Sequence, residues 1–304
     1  MKISRLLLLV LLLSLGACQQ KEPQTNEKPL IVATTGMLGD LASRLCGGFA
    51  DVEVLMGPGV DPHLYKASQG DMQLISSASV ILYNGLHLEG KMVEVLEKSA
   101  RSKPVLAAGA FVDTDAILNS ENSGAASDPH IWMDVDIWLK AVSGIADSLQ
   151  GLFPAAAEEI AKSKSNFVNE LKALNLEVDS LIQLIPSESR VLITSHDAFR
   201  YFGRAYGMEV KGLQGISTVS EYGLRDVSNL SDLIISRKIK SVFVETSVSS
   251  KSLESVVSSC KKQGWEVSIG GTLYSDSMGE SGTSKGTYVG MIRHNALTIS
   301  NSLK

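Results

Sequence analysis

The sequence predicts an α/β protein with mostly parallel sheets flanked by helices, arranged as two lobes that one long rigid helix joins. Short runs rich in β-branched residues recur along the chain, and each is followed by a turn or a helical pattern. Such alternation is typical of parallel sheets whose faces are covered by helices. The predicted strands are LIVATT (30–35), VEVLM (52–56), SVILYN (79–84), RVLITS (190–195), MEVKGL (208–213), SVFVET (241–246) and WEVSIG (265–270).

The chain begins with an export signal. Lys2 and Arg5 precede the apolar run LLLLVLLLSLGAC, which is too short to span a bilayer stably. Its last four letters, LGAC, resemble the bacterial lipobox, which implies a signal peptide at 1–17 and a diacylglycerol on the sulfur of Cys18. The alternative is an ordinary signal peptide with an incidental cysteine. Residues 18–28 are polar and lack apolar periodicity, so they are predicted to form a flexible tether.

A segment without strand patterns separates the early strands from the late ones. Pro154 is a helix-start residue, and the helical pattern stops before Pro186. Its apolar residues form one helical stripe; a coiled-coil partner is the alternative, but the segment has fewer than four heptads. The stripe is Ile160, Phe167, Leu171, Leu174, Val178, Leu181 and Ile185. We therefore predict an N-terminal lobe at 29–150, a connecting helix at 151–186 and a C-terminal lobe at 187–304.

Composition and charge narrow the classes of partner. The formal net charge is −5, and no run of basic residues follows the signal, which argues against nucleic acid. Apart from Cys18, the cysteines are Cys46 and Cys260, which fall in different predicted lobes. Two buried thiols are therefore favoured over a disulfide. We expect a monomer.

Three of the five histidines occupy positions suited to binding a ligand. His63 in DPHLY and His130 in DPHIW each follow a proline, which restricts the backbone and makes the loop rigid. His196 follows the strand RVLITS, and the carboxyl ends of parallel strands open onto the crevice where α/β proteins bind ligands. One such histidine is more often a packed or capping residue, but three together favour a metal site. His87 and His294 are interpreted as structural or surface residues.

Asp276, in LYSDSMGESGTSKGTY, is the fourth candidate ligand. By itself it would be interpreted as a helix cap or turn residue. Beside three neutral imidazoles, its carboxylate would offset part of the charge of a divalent cation. Such a set suits tetrahedral Zn²⁺, and it also suits Mn²⁺ or Fe²⁺ if both oxygens bind. The histidines at 63 and 130 precede the connecting helix and the other two residues follow it, so one cation would lie in the cleft between the lobes.

A ligating imidazole needs an acceptor for its second ring nitrogen, which fixes its tautomer and orientation. The acidic candidates are Glu245, at the end of the strand SVFVE, and the ligand neighbours Asp61, Asp128 and Asp197. For each aspartate, a capping role is the alternative.

Five blocks follow one another along the mature chain: VDPHLYKASQGDMQLISSASVILYNGLHLEGKM, DPHIWMDV, TSHDAFRYFGRAYGMEV, SVFVETSVSSKSLE and LYSDSMG. In these blocks and their order the chain resembles the zinc/manganese solute-binding lipoproteins of bacterial ABC importers. The resemblance implies two α/β lobes around one divalent metal, with His63, His130, His196 and Asp276 as ligands. Histidine at the third position favours zinc, but the segment before His130 lacks the histidine-rich loop of many zinc-dedicated members. We therefore expect a carrier of both metals.

The predicted function is capture of a divalent cation outside the cytoplasm and its delivery to the membrane permease of an ABC importer. The protein would be lipid-anchored to a bacterial membrane and would face the periplasm or the cell exterior. One alternative is an adhesin with a structural metal. Another is a zinc-dependent hydrolase, which is disfavoured because catalytic zinc keeps an open position and the chain has neither an HExxH helix nor a GxSxG elbow at a strand-to-helix turn. Because only neutral imidazoles bind metals, affinity should fall below about pH 6.5.

Overall fold

The computed structural model describes residues 28–119 and 126–304, and these form two four-stranded parallel sheets flanked by helices. The predicted α/β class is confirmed. The signal peptide, Cys18 and nearly all of the predicted tether lie outside the described residues. Within the described ranges, no helix has the length and apolarity needed to cross a bilayer.

The first sheet has the strand order β2-β1-β3-β4, and all its pairs are parallel. Its strands are β1 (Leu30–Ala33), β2 (Asp51–Val54), β3 (Val80–Tyr83) and β4 (Val105–Ala107). The helices of this N-terminal half are α1 (Gly36–Cys46), α2 (Gln69–Ser77), α3 (Val93–Ser99) and α4 (Val135–Leu152). The two central strands are apolar on both faces, because helices cover both sides of the sheet.

The second sheet repeats this arrangement with the order β6-β5-β7-β8, again entirely parallel. Its strands are β5 (Val191–His196), β6 (Glu209–Gln214), β7 (Ser241–Glu245) and β8 (Ser268–Leu273). The helices of this C-terminal half are α6 (Arg200–Tyr206), α7 (Leu224–Ser236), α8 (Lys251–Lys262) and α9 (Tyr288–Leu303). The strand order reverses between β5 and β7, and ligands of α/β proteins bind at such a point, beyond the carboxyl ends of the strands.

One helix, α5 (Ala157–Gln183), runs between the two halves. Its 27 residues give a length of about 40 Å. The chain leaves α4 at Phe153, whose backbone is not helical, and a short 3-10 turn begins at Pro154, the residue that the sequence marked as a helix start. The buried stripe agrees with the predicted one except that Ile182 is buried in place of Leu181, which is half-buried.

Contacts between the halves form one continuous core beside α5. The rings of Trp138 and Tyr288 stack with centroids 5.4 Å apart, and the Tyr288 hydroxyl donates to the carbonyl of Trp132 at 2.8 Å. Arg293 on α9 donates two hydrogen bonds to Glu177 on α5, at 2.7 and 2.8 Å. The two halves are therefore packed against each other and against α5 over a wide apolar surface.

Two strands differ most from the sequence prediction, whereas the bounds of the others differ by one or two residues. Strand β4 was missed, because its three residues are too short a run to show alternation. Strand β8 begins at Ser268, not Trp265, because the backbone N–H of Trp265 donates to the carbonyl of Cys260 at the end of α8, at 3.0 Å, and not to a neighbouring strand. Cys46 and Cys260 are buried free thiols, as predicted.

Candidate metal centre

Four side chains from four segments of the chain meet between the two halves. His63 lies in the loop between β2 and α2, and His130 lies in the loop that precedes α4. His196 is the last residue of β5, and Asp276 follows β8. The structure therefore brings together the three histidines and the aspartate that the sequence singled out, whereas His87 and His294 lie outside the cluster.

The cluster is compact and almost fully shielded from water. One ligand atom from each residue lies within 4.8 Å of those of the other three. The Nε2 atoms of His63, His130 and His196 lie 3.7, 3.4 and 3.1 Å from the Asp276 carboxylate. The exposed fraction is 4% for His63, 2% for Asp276 and 0% for the other two.

The donor atoms fit a divalent cation. Within the described ranges, the three Nε2 atoms and both Asp276 oxygens are buried without a partner in good hydrogen-bond geometry. Leaving five such atoms unsatisfied would be costly, whereas a cation at their centre would satisfy them. In a tetrahedral zinc site with bonds of about 2.0–2.2 Å, neighbouring ligand atoms lie about 3.3 Å apart. The separations of 3.1–3.7 Å from Asp276 bracket that value.

Two buried carboxylates hold the rings of His130 and His196. An Asp128 oxygen lies 2.7 Å from Nδ1 of His130 and also accepts the backbone N–H of that histidine at 3.1 Å. Glu245, at the end of β7, lies 2.6 Å from Nδ1 of His196 and accepts its backbone N–H at 2.9 Å. Each contact favours a proton on Nδ1, so that Nε2 points toward Asp276 and, in the neutral ring, carries the lone pair that a metal needs.

The other two acidic candidates lie elsewhere around the ligands. Asp61 accepts the backbone N–H of His63 at 2.9 Å, and its second oxygen accepts the hydroxyl of Thr218 at 2.5 Å. Asp197 lies 3.7 Å from Nε of Arg200. Asp61 therefore acts on the loop that carries His63 and not on its ring.

The charges of the cluster are strongly coupled. Burial lowers the pKa of His63 to about 3. Burial also disfavours protonation of His130, but Asp128 and Asp276 outweigh it and raise the pKa of that ring to about 9. For His196, the carboxylates of Glu245 and Asp276 likewise outweigh burial and raise the pKa well above its usual value. A cation that binds these two rings through Nε2 must therefore displace protons.

A buried glutamate supports the loop of His130 from the first sheet. Glu89 accepts the Thr34 hydroxyl and the Asn84 N–H, both at 2.7 Å. Asn84 in turn donates from Nδ2 to the carbonyl of Pro129 at 2.9 Å, next to His130. The turn between Asn84 and Glu89 includes Leu86 and His87 at positive φ, which non-glycine residues rarely adopt. Sequence reasoning missed this network and interpreted His87 only as a structural or surface residue.

Contacts between the halves also surround the cluster, and periodicity offered no signal for them. The Tyr201 hydroxyl donates to the carbonyl of Asp128 at 2.9 Å and accepts the N–H of Leu118 at 3.0 Å. The Trp132 indole donates to the carbonyl of Ser275 at 2.9 Å, directly before Asp276. The segments that carry His130 and Asp276 are thus tied across the interface.

The fold and the cluster define a class: two parallel α/β halves that hold a buried metal site between them make a metal solute-binding protein. Comparison with known protein families gives the same class. Residues 31–302 match the family described as zinc-uptake complex component A, periplasmic, and the chain belongs to that family.

Individual relatives cover nearly the whole chain. It is 48% identical over 274 residues to the manganese-binding lipoprotein MntA of Bacillus subtilis, an alignment that covers 90% of this chain and 89% of that one. It is 44% identical over 279 residues to the zinc-binding protein TroA of Treponema pallidum, covering 92% and 90%. A solved structure of the periplasmic zinc-binding protein TroA superposes with a TM-score of 0.89, covering 91% of this chain and 99% of that one.

Family membership establishes the general role. The chain is an extracytoplasmic solute-binding component of an ABC metal-uptake system, and its partner is therefore a membrane permease. It is a binding protein and not an enzyme, as the sequence predicted.

Proposed function

We propose that this chain captures one Zn²⁺ or Mn²⁺ ion through His63, His130, His196 and Asp276 and delivers it to the permease. The observation that carries the proposal is the convergence of four buried ligand atoms within 4.8 Å of one another. They come from both halves of the chain, so the ion would bridge the halves. Four protein ligands in a buried site leave no open position for a catalytic water, which suits transport of the ion as cargo.

The donor set can accept either metal. Asp276 presents Oδ1 toward His130 and Oδ2 toward His63 and His196, so it can bind through one oxygen or through both. One oxygen gives the four-coordinate geometry of Zn²⁺, and two oxygens give the higher coordination that Mn²⁺ tolerates. Relatives named for each metal match the chain at similar identity, which supports a carrier of both.

The remaining parts of the proposal concern the anchor and the division of the chain. A lipid on Cys18 and a tether at 18–28 would hold the folded body near the membrane that contains the permease. Residues 29–150 and 187–304 would form the two lobes, with 151–186 as the connecting segment. The acidic net charge of −5 supports a partner other than nucleic acid. We propose that the protein acts as a monomer.

A competition titration tests the proposal. Purified metal-free protein is titrated with Zn²⁺ and with Mn²⁺ against a chelating dye, and the bound metal is measured by elemental analysis. One equivalent of Zn²⁺ or of Mn²⁺ per chain is expected. A protein that bound neither metal would refute the proposal.

Thermal melting with and without EDTA then separates a carrier from a protein with a purely structural metal. A carrier must release its cargo, so the EDTA-treated protein should stay folded and melt cooperatively at a lower temperature than the loaded form. A protein that unfolds on chelation would favour the structural role.

A further inference from the structure

The four proposed ligands are not held with equal firmness. The His130 ring is fixed by Asp128, and the His196 ring is fixed by Glu245. The segment of Asp276 is tied to the N-terminal half by the hydrogen bond from Trp132 to Ser275. Among the described residues, no carboxylate lies against Nδ1 of His63 in the way that Asp128 and Glu245 lie against their rings. His63 is therefore the ligand whose position depends most on its loop.

That loop, residues 55–68, is called the His63 loop. Its C-terminal end is anchored within its own half, because the Tyr65 hydroxyl contacts Asp71 at 2.6 Å and the carbonyl of Leu55 at 3.2 Å. Within the described residues, two hydrogen bonds join the loop to the C-terminal half. Gly59 N–H donates to the Ser277 hydroxyl at 3.1 Å, and the Thr218 hydroxyl donates to Asp61 at 2.5 Å.

The contact with Thr218 is the one coupled directly to the ligand. A single carboxylate, that of Asp61, accepts the Thr218 hydroxyl through one oxygen and the backbone N–H of His63 through the other. Movement of Thr218 away from Asp61 would therefore free the segment that positions the imidazole. A hydrogen bond to a charged group is also stronger than one between neutral groups.

The contact lies at the edge of the site that is open to solvent. Leu64, the residue after His63, has an exposed fraction of 46%, and Val219, the residue after Thr218, has one of 56%. The two exposed apolar side chains thus flank the Asp61–Thr218 contact from opposite halves. By contrast, the side chains that form the Asp128–His130 and Glu245–His196 contacts are fully buried.

We infer that the Asp61–Thr218 hydrogen bond holds the His63 loop closed over the cation and so limits the rate of metal release. Asp61 and Thr218 are positioning residues that act through His63. His63 is then the first ligand to leave the ion and the last to bind it. This inference rests on the proposed function, since it assigns a release step to the same site.

Stopped-flow release of Zn²⁺ into excess EDTA tests the inference in the full-length folded protein. The variant Thr218→Val removes the hydroxyl and keeps the branched shape, whereas Thr218→Ser keeps the hydroxyl. Thr114→Val makes the same change at an exposed threonine of the N-terminal half and serves as the control. The thermal midpoint of each EDTA-treated variant reports any general loss of stability.

The inference predicts that Thr218→Val releases Zn²⁺ about tenfold faster than the wild type, a change that corresponds to loss of one charge-assisted hydrogen bond. Thr218→Ser and Thr114→Val should release at close to the wild-type rate, and the metal-free midpoints should be unchanged. Equal release rates in Thr218→Val and the wild type, or equal acceleration in Thr218→Ser and Thr218→Val, would overturn the inference. Either result would leave the proposed function standing, whereas a wild-type protein that bound no Zn²⁺ would refute that function.

Discussion

Replacing Glu245 with glutamine should weaken Zn²⁺ binding about 10- to 100-fold, although no ligand is lost. One Glu245 oxygen accepts the backbone N–H of His196 at 2.9 Å, and the other lies 2.6 Å from Nδ1 of the same residue. A glutamine has only one oxygen for these two contacts. If that oxygen keeps the backbone N–H, the amide nitrogen faces Nδ1 and favours the tautomer with the proton on Nε2.

That tautomer cannot bind a metal through Nε2, so the free energy of binding is reduced by the cost of restoring the other one. The expected loss corresponds to about 1.4 to 2.8 kcal/mol. Competition titration against a chelating dye measures the dissociation constant near neutral pH, and circular dichroism checks that the variant is folded.

The matched control is Glu177→Gln, the same substitution on α5. Glu177 is partly exposed and bonded to Arg293 at 2.7 and 2.8 Å, and it takes no part in the metal centre. Its dissociation constant for Zn²⁺ should stay within about twofold of the wild type, because exposed ion pairs contribute little. A folded Glu245→Gln protein that bound Zn²⁺ as tightly as this control would refute the orienting role of Glu245.

Three further predictions concern the ligands, protons and core. His196→Ala should lose most of its Zn²⁺ affinity in the same titration, and an unchanged dissociation constant would remove His196 from the ligand set. Zn²⁺ affinity, measured calorimetrically, should keep rising as the pH increases from 6.5 to about 9. The pKa values of His130 and His196 are raised, so protons compete with the metal until those rings are neutral. A Zn²⁺ affinity that stayed constant from about pH 6.5 upward would contradict this prediction. Leu171→Ala on α5 should lower the free energy of unfolding, measured by urea denaturation, by about 2–5 kcal/mol. Leu176→Ala should change it little, because the Leu176 side chain is 71% exposed. Equal effects of the two substitutions would contradict the assignment of the buried stripe.

Much of the fold was predictable because it depends on local patterns. Strands β1, β3, β5 and β7 are buried runs rich in β-branched residues, and α5 has one apolar stripe at helical spacing. The errors occurred where local patterns are weak. Strand β4 has three half-buried residues, and the predicted start of β8 lies in the turn that follows α8.

The site was predictable in part for a different reason. Histidines held by prolines and a histidine at a strand end are features that the sequence displays directly. The residues that contact those histidines cannot be identified from the sequence in the same way. Asp61, Asp128 and Asp197 are equivalent as acidic neighbours in the sequence, yet Asp128 contacts a ring, Asp61 contacts a backbone N–H and Asp197 lies beside Arg200.

The sequence by itself determined the α/β class and predicted the export signal and the kinds of ligand, because hydrophobic periodicity, turn chemistry and side-chain donor type are properties of short stretches. Only the tertiary structure decided which carboxylate lies against which imidazole and that the Thr218 hydroxyl donates to Asp61 in the His63 loop. Asp61 and Thr218 are 157 residues apart, and His196 and Glu245 are 49 apart. Contacts at such separations form only when the sheets and α5 pack together, so their geometry follows from the whole core and not from any local pattern.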